Sequence, residues 1–281
     1  MGGFLIMGLR ISTNVPSINA QRQLKQNSQG IETSMQRLSS GYRINKSSDD
    51  VAGLAISEKM RGQIRGLAQA NRNAQDGVSF VQVADGALGE TSKILIRVRE
   101  LATQAASDTV GETERQFINV EVQQMLTELD RISSTTEYSG TKLLDGSGGT
   151  LDFHVGVGGG DNNIISFNAG DANASASSLG VSGLGVGSKG DARSTLDNID
   201  QALTKVGTMR ASFGAMQSRM GATINNLSVY EENLAAANSR IRDTDFAKEA
   251  ADLAKNSIVQ QASVATLAQA NTNTALALKL L

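Results

Sequence analysis

The 281-residue chain has no Cys, no Trp, one His and one Pro. Without Cys, a disulfide scaffold and a cysteine-ligated metal site are excluded, and disulfides say nothing of the redox compartment. The single His154 rules out a two-histidine zinc motif and any His-pair relay, leaving a Ser-His relay weak and a Cys-His relay impossible. Aromatics are confined to 7 Phe and 3 Tyr, and 26 basic against 28 acidic side chains give a net charge of −2. Base-stacking platforms and a broad electrostatic footprint are therefore missing, and nucleic acid is not an expected partner. No apolar run is long enough to span a bilayer, so membrane insertion is not expected either. Because Pro16 is the only proline, long helices are permitted in every later segment.

The start, MGGFLIMGLRIS, is too short in apolar residues for a signal-peptide core and lacks a basic lead and a small-residue cleavage site, so conventional secretion is not expected. Met7, Gly8 and Ser12 fit a myristoylation pattern, which reads as a chance match to a short motif. Thr13-Asn14-Val15-Pro16 has the form of a helix entrance, with a polar cap before a first-turn proline. The helix is expected to run to about Ser39, with Ile31, Met35 and Leu38 as an apolar stripe behind a polar first half.

Heptad seams dominate both sides of a Gly-rich centre. Phe80, Ala84, Ala87, Thr91, Ile94, Val98, Leu101 and Ala105 alternate spacings of four and three, and Ile118, Val122, Met125, Leu129 and Ile132 resume the pattern after the polar break Ser107 to Thr113. Two helices joined by a short turn are implied. The longest seam is Ile199, Ala202, Val206, Met209, Phe213, Met216, Met220, Thr223, Leu227, Tyr230, Leu234, Ala237 and Ile241. It predicts a rod from about Ala192 to Arg242, roughly 75 Å long at 1.5 Å per residue. Gly207, Gly214 and Gly221 recur at one heptad phase inside it. Close backbone approach is the favoured reason for accepting their poor helix propensity, drift in a marginal helix the alternative.

From Ser139 to Gly190 the composition turns to Gly, Ser, Asn and Asp. Leu151, Phe153, Val155 and Val157 alternate with Asp152, His154 and Gly156, the pattern of a half-buried strand. Gly158 to Asn163 supplies a turn, Ile164 to Phe167 the returning strand, and Ala172 to Gly190 reads as irregular surface. Thr244 to Leu281 is again helical, with Phe246, Ala250, Leu253, Ile258, Val264 and Leu267 as its apolar members.

Catalytic constellations do not emerge. His154 reads as a strand-face residue, Asp49 and Asp50 as a turn or helix cap rather than a cation site, and the Gly156 to Gly160 cluster as a hairpin turn without the Lys-Ser/Thr of a phosphate loop. Arg97, Arg99 and Glu100, and Arg240, Arg242, Asp243 and Asp245, fit two readings equally: solvated charge supporting a helix, or lateral pairing between identical subunits. Apolar seams exceed the globular bulk available to cover them, which points to assembly.

The motifs themselves carry a resemblance. LSSGYRIN (Leu38 to Asn45), DDVAGLAIS (Asp49 to Ser57), GLAQANRNAQDG (Gly66 to Gly77), IRVRELATQA (Ile96 to Ala105), SRIRDTDFAKE (Ser239 to Glu249) and QQASVATLAQAN (Gln260 to Asn271) resemble bacterial flagellin signatures, in that family's order, everywhere except about residues 145 to 190. The resemblance implies a mainly α fold: long antiparallel coiled-coil helices, an inner terminal pair plus an outer rod, with a small β-hairpin insertion. It divides the chain into an extension or misassigned start (1–7), an N-terminal inner helix and connecting spoke (8–45), two parts of the outer rod (46–138 and 191–242), a short variable region (139–190) and a C-terminal inner helix (243–281). It makes Ile18, Leu24, Ile31, Met35, Leu38, Phe246, Leu253, Ile258, Val264 and Leu267 the inner subunit interface.

By the same resemblance the chain is a structural subunit rather than an enzyme and needs no cofactor. It is exported unfolded by a flagellar type III apparatus with a chaperone, and its termini order only on joining a filament outside the cell. Its partners are copies of itself, sister flagellins, cap and hook-junction proteins, and a vertebrate innate receptor matched at Arg97, Leu101 and Glu121. The related hook-filament junction protein is the alternative, and a member carrying a protease insert a remote third. The family start aligns at Met7, so the mature chain is expected to begin at Gly8. Leu227→Asp and Leu267→Asp are expected to block polymerisation.

Overall fold

The structure is a computed structural model that describes residues 13–279, with side chains to residue 272. The expectations for Met1 to Ser12 and for the side chains of the Ala275 to Leu281 end lie outside the described residues. Among the described residues six α-helices and four short strands follow in the order α1 (Val15–Ser40), α2 (Val51–Ala105), α3 (Glu112–Thr135), β1 (Glu137–Tyr138), β2 (Thr141–Lys142), β3 (Thr150–His154), β4 (Ile164–Asn168), α4 (Ala176–Leu179), α5 (Lys189–Arg242) and α6 (Phe246–Lys279). The mainly helical architecture, the hairpin and the long helix ending at Arg242 are as expected. Two compact units form, a terminal unit of Met1–Gly62 with Leu234–Leu281 and a middle unit of Gln63–Asn233.

Helix boundaries follow local chemistry. Asn14 caps α1, its side chain accepting from Ser17 N, with proline in the first turn. Gly41, at φ 74°, ends the helix in the left-handed region and donates its N–H to Arg37 O. Asp50 Oδ1 accepts from Gly53 N at 2.8 Å to cap α2, and Asp245 Oδ1 caps α6 through Ala247 N and Lys248 N. Asp49 Oδ2 accepts from the N–H groups of Asn45 and Lys46, and these bonds hold its carboxyl below the usual value. The turn and cap reading of Asp49 and Asp50 thus holds.

In the middle unit α2 runs antiparallel to both α3 and α5, as the pairs Arg97 with Glu121, Arg99 with Asp200 and Arg210 with Asp85 register. The seam of α2 is Leu67, Ala70, Ala74, Gly77, Val81, Ala84, Leu88, Thr91, Leu95, Val98, Ala102 and Ala105, all buried. Of the expected series Phe80, Ala84, Thr91, Val98, Leu101 and Ala105 are buried, while Ala87 and Ile94 are half-buried. The buried arc is wider than a two-stranded seam, because the helix is flanked on two sides, and it adds Val81, Leu88, Leu95 and Ala102 beside the expected positions. On α3, Val122 and Leu129 are buried as expected, together with Leu126, while Ile118 and Met125 pack at the edge of the core. On α5, Val206, Phe213, Met220 and Leu227 are buried, but Tyr230 is 47% exposed. Leu234 and Ile241, in the terminal unit, are half-buried.

Strands β3 and β4 pair antiparallel, Phe153 opposite Ile165 and Leu151 opposite Phe167. Phe153 and Phe167 reach Phe80 at 5.6 and 5.9 Å between ring centroids, and Phe167 meets Phe213 at 4.9 Å. The hairpin therefore completes the aromatic core. Val157, expected inward, is exposed, since it lies beyond the paired strand. A second hairpin, β1 and β2, turns through Ser139 and Gly140, both at positive φ, a two-residue loop of the primed kind.

The expectation of irregular surface from Ala172 to Gly190 fails. Ala172, Ala174, Ala176, Leu179, Val181 and Val186 are buried in the core. Side chains of α3 pin this segment's backbone: Asp130 Oδ1 accepts from Ala176 N, Asn119 Oδ1 accepts from Val186 N, and Gln123 donates to Leu184 O. Thr195 adds a bond to Gly185 O. With its polar backbone satisfied by helix side chains, the segment can be buried without strands.

The glycine expectation also fails within the chain. A Cβ at Gly207, Gly214 or Gly221 would meet nothing within 4 Å. Close approach occurs instead at Gly77, where a Cβ would come 2.5 Å from Met220 Cε and 3.2 Å from Phe153 Cδ1.

Candidate functional site

Helices α1 and α6 lie antiparallel in the terminal unit, registered by Asn14 Nδ2 donating to Ala270 O, Asn27 to Ser263, Gln260 to Ser28, and Arg37 beside Glu249 at 3.5 Å. The contacting positions repeat by heptad: Ser17, Ala20, Leu24, Asn27, Ile31, Ser34 and Leu38 on α1, and Glu249, Leu253, Asn256, Gln260, Ser263, Leu267 and Ala270 on α6. Half of them are polar. Ser17, Ser34 and Glu249 are buried outright.

The apolar residues are divided by this geometry. Leu24, Ile31, Leu38, Leu253 and Leu267 are half-buried in the seam, whereas Ile18, Met35, Phe246, Ile258 and Val264 are between 52 and 66% exposed. Met35 shares the helical stripe of Ile31 and Leu38 but lies exposed at its outer edge. It follows Ser34, the residue that occupies the seam. On α6 the helical period of 3.6 places Ala254, Ile258 and Ala265 on the side away from the α1 contact. The pair differs from an ordinary coiled coil, with polar and apolar groups sharing the seam and further large apolar groups left outside it.

The ends of the pair are tied by a backbone clasp. Arg43 N donates to Arg242 O, Thr244 N to Gly41 O, and Tyr42 bridges Asp243. The Arg242 guanidinium lies 4.6 Å over the Tyr42 ring and 2.6 Å from Glu58. Arg43 Nη2 adds a bond to Ile241 O. The motifs SGYRIN and SRIRDTD therefore meet in space, a juxtaposition that no spacing within either one reveals.

In the middle unit the charges flagged by sequence pair inside the chain. Glu121, then Glu100, accept from Arg97 and hold its guanidinium above the ordinary value; Asp200 does the same for Arg99, whose bond lowers Asp200 in return. Lys189 lowers Asp108 by a charge-assisted bond of 2.5 Å. These are exposed, helix-supporting pairs. Of the three residues matched to a receptor contact, Arg97 and Glu121 present surface, but Leu101 is 3% exposed. An open cleft of about 680 Å³ lies between the β3–β4 turn and α5, lined by residues including Val157, Asn163, Arg219, Thr223 and Tyr230. His154 is exposed on β3, and the cleft holds no general base beside a nucleophile. Among the described residues no group of three or more His, Asp or Glu is placed to hold a metal ion, and no helix is long and apolar enough to cross a membrane.

Comparison with known proteins accounts for this arrangement. Residues 11–148 match the bacterial flagellin N-terminal helical region and residues 196–281 the bacterial flagellin C-terminal helical region. The chain belongs to the bacterial flagellins. A flagellin of Halalkalibacterium halodurans is 44% identical, covering 96% of this chain and 99% of that one. The flagellin of Bacillus subtilis is 43% identical over 94% of this chain and 96% of its own length. A flagellar filament 30.7 kDa core protein of Treponema maltophilum is 42% identical over 93% and 96%. The crystal structure of Bacillus cereus flagellin aligns with a TM-score of 0.50 at 29% identity, covering 59% of this chain and 94% of that one. A putative hook-associated protein from Vibrio parahaemolyticus shares the fold at 12% identity, with a TM-score of 0.58 and coverage of 69% of this chain and 100% of that one. Flagellins are structural filament proteins and not enzymes, and the junction-protein alternative is not favoured.

Proposed function

We propose that this chain is a structural subunit exported unfolded and polymerised helically, through repeated heterologous contacts that do not close, into a flagellar filament outside the cell for swimming. The supporting observation is the α1·α6 pair, whose apolar residues Ile18, Met35, Phe246, Ile258 and Val264 stay in water in the single chain. Covering them is favourable by about 25 cal/mol per Å² of apolar area, and neighbouring copies around a common axis supply the cover.

The inner interface then has two kinds of member. Leu24, Ile31, Leu38, Leu253 and Leu267 close the pair within a subunit, and the outward residues join subunits. The export chaperone, type III apparatus, cap, hook-junction proteins and sister flagellins are the partners this role requires. An innate receptor would meet Arg97 and Glu121 at the surface, with Leu101 supporting them from beneath.

Purified subunits offered sheared filaments as seeds and viewed by negative-stain microscopy test the reading. Wild type is expected to extend the seeds. Ile18→Asp and Ile258→Asp are expected to add nothing while the middle unit melts as in wild type. Normal filaments from both variants would overturn the assignment.

A further inference from the structure

Methionine sulfur is unevenly sheltered in this chain. Among the described residues Met35 is 61% exposed, Met60, Met125 and Met209 are half-buried, and Met216 and Met220 are buried, the Met220 sulfur lying against Gly77. The exposed thioether stands on α1, among the apolar residues that the filament reading assigns to neighbouring copies. We propose that Met35 is an oxidation site that controls incorporation: its sulfoxide bars a free subunit from the filament, and assembly shields the sulfur of subunits already in place. This deepens the filament reading and rests on it.

Oxidation of a thioether by a peroxide needs access and no prior loss of a proton. One oxygen atom passes from hydrogen peroxide to the Met35 sulfur as the O–O bond breaks. The sulfur gives up two electrons, the peroxide is reduced, and water leaves. A polar, chiral side chain then stands where a flexible apolar one stood. In the free subunit the new oxygen is solvated and costs little. Covered by a neighbouring copy it must give up water, and an apolar contact returns no donor for it. Within its own chain Met35 lies at the outer edge of the stripe of Ile31 and Leu38, next to the buried Ser34. A sulfoxide there leaves the α1·α6 contact in place and acts on the contact between copies.

Full-length free subunits and filaments, each treated with hydrogen peroxide and mapped by peptide mass spectrometry, test the site. Met35 is expected to gain oxygen ahead of Met60, Met125 and Met209 in free subunits, and to be spared in filaments. Subunits oxidised at Met35 should extend untreated seeds about tenfold more slowly, as a polar group carried into an apolar contact without a partner requires. The two methionine sulfoxide reductases, one for each epimer, should restore the rate. Met35→Leu keeps the volume and the apolar character, so it should extend seeds normally before and after peroxide, whereas Met35→Gln should extend them slowly without any peroxide. Equal oxidation of Met35 in subunits and filaments, normal growth from subunits carrying the sulfoxide, or a Met35→Leu protein as peroxide-sensitive as wild type would overturn the proposal. Failure of untreated wild type to extend seeds would instead overturn the filament reading, and the order of oxidation in free subunits would still decide whether Met35 is the site.

Discussion

Helix α2 in the middle unit and helix α1 in the terminal unit obey the same alternation of three and four residues, yet one seam is almost wholly apolar and the other is mixed. From Leu67 to Ala105 the α2 seam is apolar except for Gly77 and Thr91, and Thr91 satisfies itself through Ala87 O. From Ser17 to Leu38 the α1 seam mixes Ser and Asn with Ala, Leu and Ile. Among the described residues, the buried side-chain polar atoms without a partner, Arg37 Nε, Asn238 Oδ1 and Arg242 Nε, all belong to the terminal unit. Heptad spacing therefore states which residues will meet, and only seam chemistry states whether the meeting is stable without help.

Aspartate substitutions should separate the two regions most sharply. Leu227→Asp places a charge where the side chain is 6% exposed, and should unfold much of the middle unit, read as lost cooperative melting. Leu267→Asp, in a half-buried position of the α1·α6 seam, should leave that melting intact and abolish filaments. Both are expected from sequence to block polymerisation, but the burial makes the first a folding defect.

Smaller truncations sharpen the same contrast. Leu88→Ala, at a fully buried seam position of α2, should cost about 3 kcal/mol in denaturant unfolding of the free subunit. Leu24→Ala on α1 should leave that measurement unchanged and lower the dissociation temperature of filaments. Glycine gives a third pair. Gly77→Ala drives a methyl into Met220 and Phe153 and should cost about 1–3 kcal/mol. Gly214→Ala enters open space and should stabilise the free subunit by up to about 1 kcal/mol. If Gly214→Ala nevertheless blocks filament growth, the glycine stripe packs against neighbouring copies.

The smallest effect concerns acid. Hydrogen bonds from Lys46 and Asn45 depress the Asp49 carboxyl below its ordinary 3.8. The stabilisation is fully present above that ordinary value and disappears as pH falls through the depressed one. Asp49→Asn should thus loosen the turn before α2 slightly at neutral pH, as read by local hydrogen exchange, and the difference from wild type should vanish in strong acid.

Much of the fold is legible in the residues. Asn14 and Pro16 announce the start of α1, the alternation around Phe153 announces β3, and the heptads after Phe80 announce the long helices. Three things are not. The seam from Leu67 to Gly77 is built from Leu, Ala and Gly, whose small side chains give a weak periodic signal. The segment from Ala172 to Val186 looks like surface because its burial depends on Asp130, Asn119 and Gln123 of a distant helix. Which apolar residues of the α1·α6 pair stay uncovered is invisible to hydropathy, since a stripe of apolar residues reads as core whether or not its own chain covers it. The exposed Met35 beside the buried Ser34 is where that rule breaks.

Hydrogen exchange, followed by mass spectrometry on free subunits and on assembled filaments, tests the mixed α1·α6 seam most directly. Peptides spanning the α2 seam, Leu67 to Ala105, should be protected in both states, and those spanning Ser17 to Leu38 and Glu249 to Ala270 should exchange rapidly when free and slowly when assembled. Equal protection of the terminal helices in both states would contradict the account.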